Sequence, residues 1–204
     1  MGYLDRMDVA VGTLIKGLKE RGQFENTLIV FMSDNGANPE QGPFGKYSGK
    51  EIWGTVDSKV YQGQSWATYS NTPFRRYKHF THEGGISTPL IVHWPKGISK
   101  FKNGQVIQNE SHIIDIMPTL VEITNATYLS ELNGHVIQPM EGESLMPIFK
   151  SKSFRRTEPI YWEHEGNRAV RSGQWKIVSI NHKPWEFPME VKRKKKRIFT
   201  LTMW

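Results

Sequence analysis

Apolar positions recur at helical spacing near the start of the chain. Leu4, Met7, Val11, Leu14, Ile15 and Leu18 fall three or four apart, with Asp5, Arg6, Asp8, Lys16, Lys19 and Glu20 mostly off that stripe. This predicts an amphipathic helix over residues 3–21, packed on a core and stopped at Gly22. The period then disappears. Thr27-Leu28-Ile29-Val30-Phe31-Met32 is a continuous apolar run rich in β-branched residues. It predicts a strand buried on both faces, as in parallel sheets covered by helices. Thr88-Pro89-Leu90-Ile91-Val92-His93-Trp94-Pro95 predicts a second buried strand closed by proline. Ile113 to Ile123 reads as another helix, with Ser111 as its cap and Pro118 as a kink or break. Pro159–His164, Asn167–Arg171 and Trp175–Ser179 read as three short strands, the last two joined through Ser172-Gly173-Gln174. The helix, loop and strand order at the front places the chain in the α/β class. The three late strands add a small antiparallel subdomain.

The first strand ends in Asp34, Asn35 and Gly36. The carboxyl ends of central strands are where open α/β sheets bind ligands. A carboxylate beside an amide offers oxygen donors suited to calcium or magnesium. The plainer reading is a turn, which these residue types also favour. Residues 36–85 are polar and broken by Gly and Pro, yet hold Trp53, Tyr61, Trp66, Tyr69, Phe74, Tyr77 and Phe80. Such a stretch suits either the wall of a cleft or a cap over a sheet edge. Lys78 and His82 stand just before Glu83-Gly84-Gly85, a tight turn feeding the second strand. Spacing alone gives neither residue a special role.

Composition narrows the field. Aromatics form 12% of the 204 residues, which argues for a folded chain. The absence of cysteine excludes disulfides, thiolate metal sites and thiol nucleophiles. No apolar run is long enough for a transmembrane helix, and the acidic, amphipathic first twenty residues do not read as a signal peptide. The net charge of +7 suggests nucleic acid until it is located: residues 188–204 carry +5 of it, leaving +2 for residues 1–187. Lys192-Arg193-Lys194-Lys195-Lys196-Arg197 predicts a disordered tail. Its character also fits a non-native end, such as a translation frameshift. No nucleic-acid partner is expected.

Taken together, several segments resemble arylsulfatases, of the sulfatase family in the alkaline-phosphatase-like superfamily. The segments are the opening helix, Ser33-Asp34-Asn35-Gly36-Ala37, Ser70-Asn71-Thr72-Pro73-Phe74-Arg75, Lys78 through Pro89, Asp115-Ile116-Met117-Pro118-Thr119-Leu120, and Tyr161 through Arg171. The resemblance covers residues 3–187 and is to the C-terminal portion of the family. It implies part of an alkaline-phosphatase-like sandwich, a mostly parallel sheet flanked by helices. Residues 1–150 would belong to the catalytic domain, 151–187 to the antiparallel subdomain, and 188–204 to the tail. It also implies hydrolysis of sulfate esters with calcium and a formylglycine nucleophile. Asp34 and Asn35 match two calcium ligands. Lys78 matches the lysine that contacts the sulfate group, and His82 is carried as a second substrate-binding position or as the residue that orients the Glu83 turn.

The departures bear on activity. Nothing in the chain matches the family's Cys/Ser-x-Pro-x-Arg nucleophile motif, nor the paired aspartates that complete the calcium site. The expectation is half an active site, inactive alone, with a missing N-terminal segment as a candidate partner. Family members are often periplasmic or secreted, so the compartment stays open. Two alternatives remain: a noncatalytic module binding sulfate or a sulfated glycan, and a fragment of a related phosphodiesterase or phosphonate hydrolase.

Overall fold

A computed structural model describes residues 2–48, 55, 58–98, 104–152, 154–181 and 198–203. The expected first helix forms as α1, Gly2–Glu20. Its apolar stripe does not enter a core, which corrects the packing expectation. Leu14 is 60% exposed, Leu4 and Met7 are also exposed, and the helix packs chiefly on the 3-10 turn Phe24–Asn26. Lys19 lays its ammonium 4.8 Å from the centre of the Phe24 ring. An amphipathic period fixes which residues share a face, but not what covers that face.

The two apolar runs become β1, Ile29–Met32, and, later in the chain, β4, Leu90–His93. They pair with each other antiparallel, Ile29 opposite His93 and Met32 opposite Leu90. Among the described residues no strands pair in parallel, and all four sheets are antiparallel. The expected burial on both faces is also not observed. Phe31 and Ile91 are cross-strand partners, and both are exposed. Val92 and Leu90 face inward instead, against Leu145, Met146 and Phe149. A short apolar run signals burial of at least one face, but carries no record of strand direction.

Between β1 and β4 the polar stretch builds its own short elements. These are β2, Lys46–Ser48, β3, Lys59–Tyr61, α2, Gly63–Ser70, and α3, Glu83–Ile86. Its aromatics divide: Tyr77 and Phe80 are buried edge to face with each other, in one cluster with Ala67 of α2, whereas Trp66 and Tyr69 are exposed. Trp53 lies outside the described residues.

After β4 the predicted helix appears as a 3-10 turn, Ile113–Asp115, leading into α4, Ile116–Thr124. His112, not Ser111, is the cap, and forms a reciprocal capping box with Asp115. Pro118 produces no break, because it lies in the first turn of α4, where a missing N–H costs nothing. Asp115 is fully buried and accepts from the backbone N–H groups of His112 and Glu143, with Arg156 against its carboxylate. A minimal hairpin follows, β5, Glu131–Leu132, with β6, His135–Val136, then α5, Met146–Phe149.

The three late strands form as read: β7, Ile160–His164, β8, Asn167–Ser172, and β9, Trp175–Ile180, an antiparallel meander. A fourth strand, β10, Ile198–Met203, pairs with β9. The disorder expected over 188–204 therefore does not extend to 198–203, whose apolar and threonine-rich sequence favours a strand. The basic run Lys192–Arg197 lies outside the described residues.

Candidate active site

The turn after β1 is locked onto two others by backbone contacts. The Gly36 N–H donates to the Gly85 carbonyl at 3.0 Å, and a Cβ at Gly36 would be driven into the Gly84 carbonyl. Ala37 N–H donates to Asn71 Oδ1 at 3.2 Å, and Asn71 Nδ2 donates to the Arg76 carbonyl at 3.0 Å. The Lys78 N–H closes the circuit on the Ala37 carbonyl at 3.1 Å. The turn at 34–37 thus meets two segments that lie some thirty-five to fifty residues further along the chain, 71–78 and 84–85.

Asp34 is exposed at this junction and has no side-chain partner among the described residues. Asn35 donates from Nδ2 to the Gly36 carbonyl at 2.8 Å, and its Oδ1 accepts no hydrogen bond among the described residues. Two such oxygens fit a hard cation but fall short of the six to eight that calcium takes. Any shell built here needs further donors.

Lys78 rides on a tense turn. Arg76 and His79, on either side, have φ of +70° and +81°, which L-residues adopt at a cost of about 1–3 kcal/mol each. Gly84 N–H donates to the Arg75 carbonyl at 2.9 Å, and Asn167 Nδ2 to the His79 carbonyl at 2.9 Å, so the surroundings hold both. The Lys78 ammonium pairs with Glu40 at 3.2 Å, both side chains about one-third exposed. Its hydrogen bond holds the Glu40 carboxyl below the usual carboxylate range. The ion pair that Lys78 makes among the described residues is with Glu40, not with Asp34.

His82 is buried, 5% exposed, and neither ring nitrogen has a hydrogen-bond partner among the described residues. Burial pushes its pKa down to about 4, aided by the charges of Arg75, Arg76 and Lys176. It is neutral at pH 7. It stands at the N-cap of α3 without a side-chain cap bond, and its carbonyl accepts from the Gly85 N–H at 2.8 Å. Its link to the Glu83 turn therefore runs through the backbone.

Sequence reading missed the group behind that turn. Lys176 of β9 is 1% exposed, its ammonium against the Glu83 carboxylate and 5.1 Å from the Trp162 ring centre. Burial lowers the Lys176 pKa, and the Glu83 carboxylate opposes that shift. A signal was present: strand alternation puts Lys176 on the face of Val178, opposite Trp175 and Ile177, and Val178 is in the core.

Small antiparallel sheets with flanking helices, and oxygen donors and an ammonium on interlocked turns, define a mixed helix-and-strand protein. The sulfatase family matches residues 2–126, and the N-sulphoglucosamine sulphohydrolase C-terminal family matches residues 74–194. The chain belongs to the sulfatase family. It is 36% identical over 157 residues to an arylsulfatase of Klebsiella aerogenes, covering 72% of this chain and 33% of that protein. It is 29% identical over 185 residues to the steryl-sulfatase of Mus musculus, covering 90% of this chain and 25% of the relative. A solved structure concerned with the metabolism of multiple glycosaminoglycans by Bacteroides thetaiotaomicron superposes with a TM-score of 0.57 at 20% identity, over 95% of this chain and 36% of that one. That likeness establishes the fold. The chain spans about a third or less of the length of these relatives.

Proposed function

We propose that this chain carries part of a sulfate-ester hydrolase site, with Lys78 meeting the sulfate group and Asp34 and Asn35 contributing to a calcium shell. The observation that supports it most is the hydrogen-bond circuit through Gly36, Ala37, Asn71 and Lys78, which sets the two candidate turns side by side. A sulfate ester gathers negative charge on its nonbridging oxygens as its bond breaks. An ammonium in a partly dry cleft stabilises that charge, and a bound divalent cation would add to it. His82, neutral and buried, is assigned to orienting the Glu83 turn, with contact to the substrate as the alternative.

The nucleophile motif of the family has no counterpart in these 204 residues. The chain alone is accordingly expected to bind sulfate without hydrolysing an aryl sulfate. Calorimetry with inorganic sulfate in the presence of calcium tests the binding half. Lys78→Met should weaken binding by about 10- to 100-fold, the value of a hydrogen bond to a charged group. Unchanged sulfate affinity in that variant would refute the role of Lys78. Sustained turnover of an aryl sulfate by the purified chain would refute the division of the site.

A further inference from the structure

The residue next to Lys78 belongs to a different cluster. His79 is buried, and its Nδ1 lies 3.3 Å from Glu165 Oε1. Glu165 sits in the turn between β7 and β8 with φ of +53°. The same carboxylate oxygen lies 3.8 Å from His164 Nε2. The two imidazoles stack with centroids 6.0 Å apart and planes 27° from parallel. One ligand atom from each of the three residues falls within 4.8 Å of the other two.

Those separations suit a small cation. Bonds of about 2.0–2.1 Å in tetrahedral geometry place neighbouring donor atoms roughly 3.3 Å apart. Two of the three edges lie within half an ångström of that. Two imidazoles and one carboxylate are donors for zinc and its neighbours, whereas calcium prefers oxygen alone. The His164 side chain is 58% exposed and that of Glu165 30%, so an ion has a way in and water can fill a fourth position. Supporting bonds stand behind the donors. Asn167 Nδ2 holds the His79 carbonyl at 2.9 Å, and the Gly166 N–H donates to Glu163 Oε1 at 2.7 Å, fixing the hairpin turn.

We propose that His79, His164 and Glu165 form a binding site for a zinc-class divalent cation, distinct in donor chemistry from Asp34 and Asn35. The ion would clip the turn that carries Lys78 to the β7–β8 hairpin. Its consequence is structural order at that turn, independent of any sulfate chemistry.

The test is calorimetric titration of the chelator-treated chain with zinc chloride, alongside thermal melting with and without zinc. The expected result is one zinc per chain and a rise in melting temperature that EDTA reverses. His164→Ala and Glu165→Gln should each weaken zinc binding at least tenfold. Both side chains are partly exposed, and circular dichroism checks that both variants fold. No zinc binding by the intact chain would overturn the proposal, as would unchanged zinc affinity in either folded variant.

Discussion

The Lys176 ammonium lies against the Glu83 carboxylate, joining the third strand of the meander to the short helix that precedes β4. Both side chains are withdrawn from water, Lys176 almost wholly. Removing one member leaves a charge without its counterpart. Glu83→Gln is expected to destabilise the fold by about 3–5 kcal/mol, measured by urea denaturation. The double variant Glu83→Gln/Lys176→Met should recover a large part of that loss, because it removes both desolvated charges. Equal stability of wild type and Glu83→Gln would show that the pair contributes nothing.

His82 makes stability depend on pH. Its folded pKa, about 4, is below the ordinary value of 6.5, so the unfolded chain binds more protons between those limits. Its contribution is complete above pH 6.5 and is lost as pH falls towards 4. The span corresponds to about 3 kcal/mol, and His112, also lowered by burial, acts in the same direction. Denaturation curves across this range should show stability falling with acid. His82→Gln should flatten the profile; an equally steep profile in that variant would contradict the assignment.

Gly36→Ala should loosen the junction of the three turns. The added methyl meets the Gly84 carbonyl, a backbone group that cannot rotate aside. A cost of about 1–3 kcal/mol is expected, seen as a lower melting temperature. Gly12→Ala provides the control, because nothing lies near its Cβ position and helix propensity there favours alanine.

Glu40 competes for the ammonium that the proposed function assigns to sulfate. The pair is partly exposed, so it is worth at most about 1 kcal/mol. Glu40→Gln should therefore strengthen inorganic sulfate binding by up to about fivefold in calorimetry. Weaker binding in this variant would mean that Glu40 positions Lys78 instead of masking it.

Much of this was legible from residue order. The opening helix, the two apolar strands and the three late strands all form close to their expected bounds, because each rests on a local period or a turn residue. The segments resembling sulfatases are matched by family comparisons over residues 2–126 and 74–194. Strand direction was not legible. β1 and β4 are antiparallel, and their apolar content would read the same in either direction. The exposure of Leu4, Met7 and Leu14 was equally hidden, since a helical stripe does not name its partner.

By itself, the order of residues determined that Asp34 and Asn35 close a strand and that Lys78 and His82 precede a glycine turn. Tertiary structure alone decided that Asn71 bridges Ala37 and Arg76, that Lys78 meets Glu40, that His82 is buried, and that Lys176 reaches Glu83. The reason is physical. Local period and turn chemistry act over a few residues, whereas a side chain's partner and its loss of water depend on segments up to about ninety positions away.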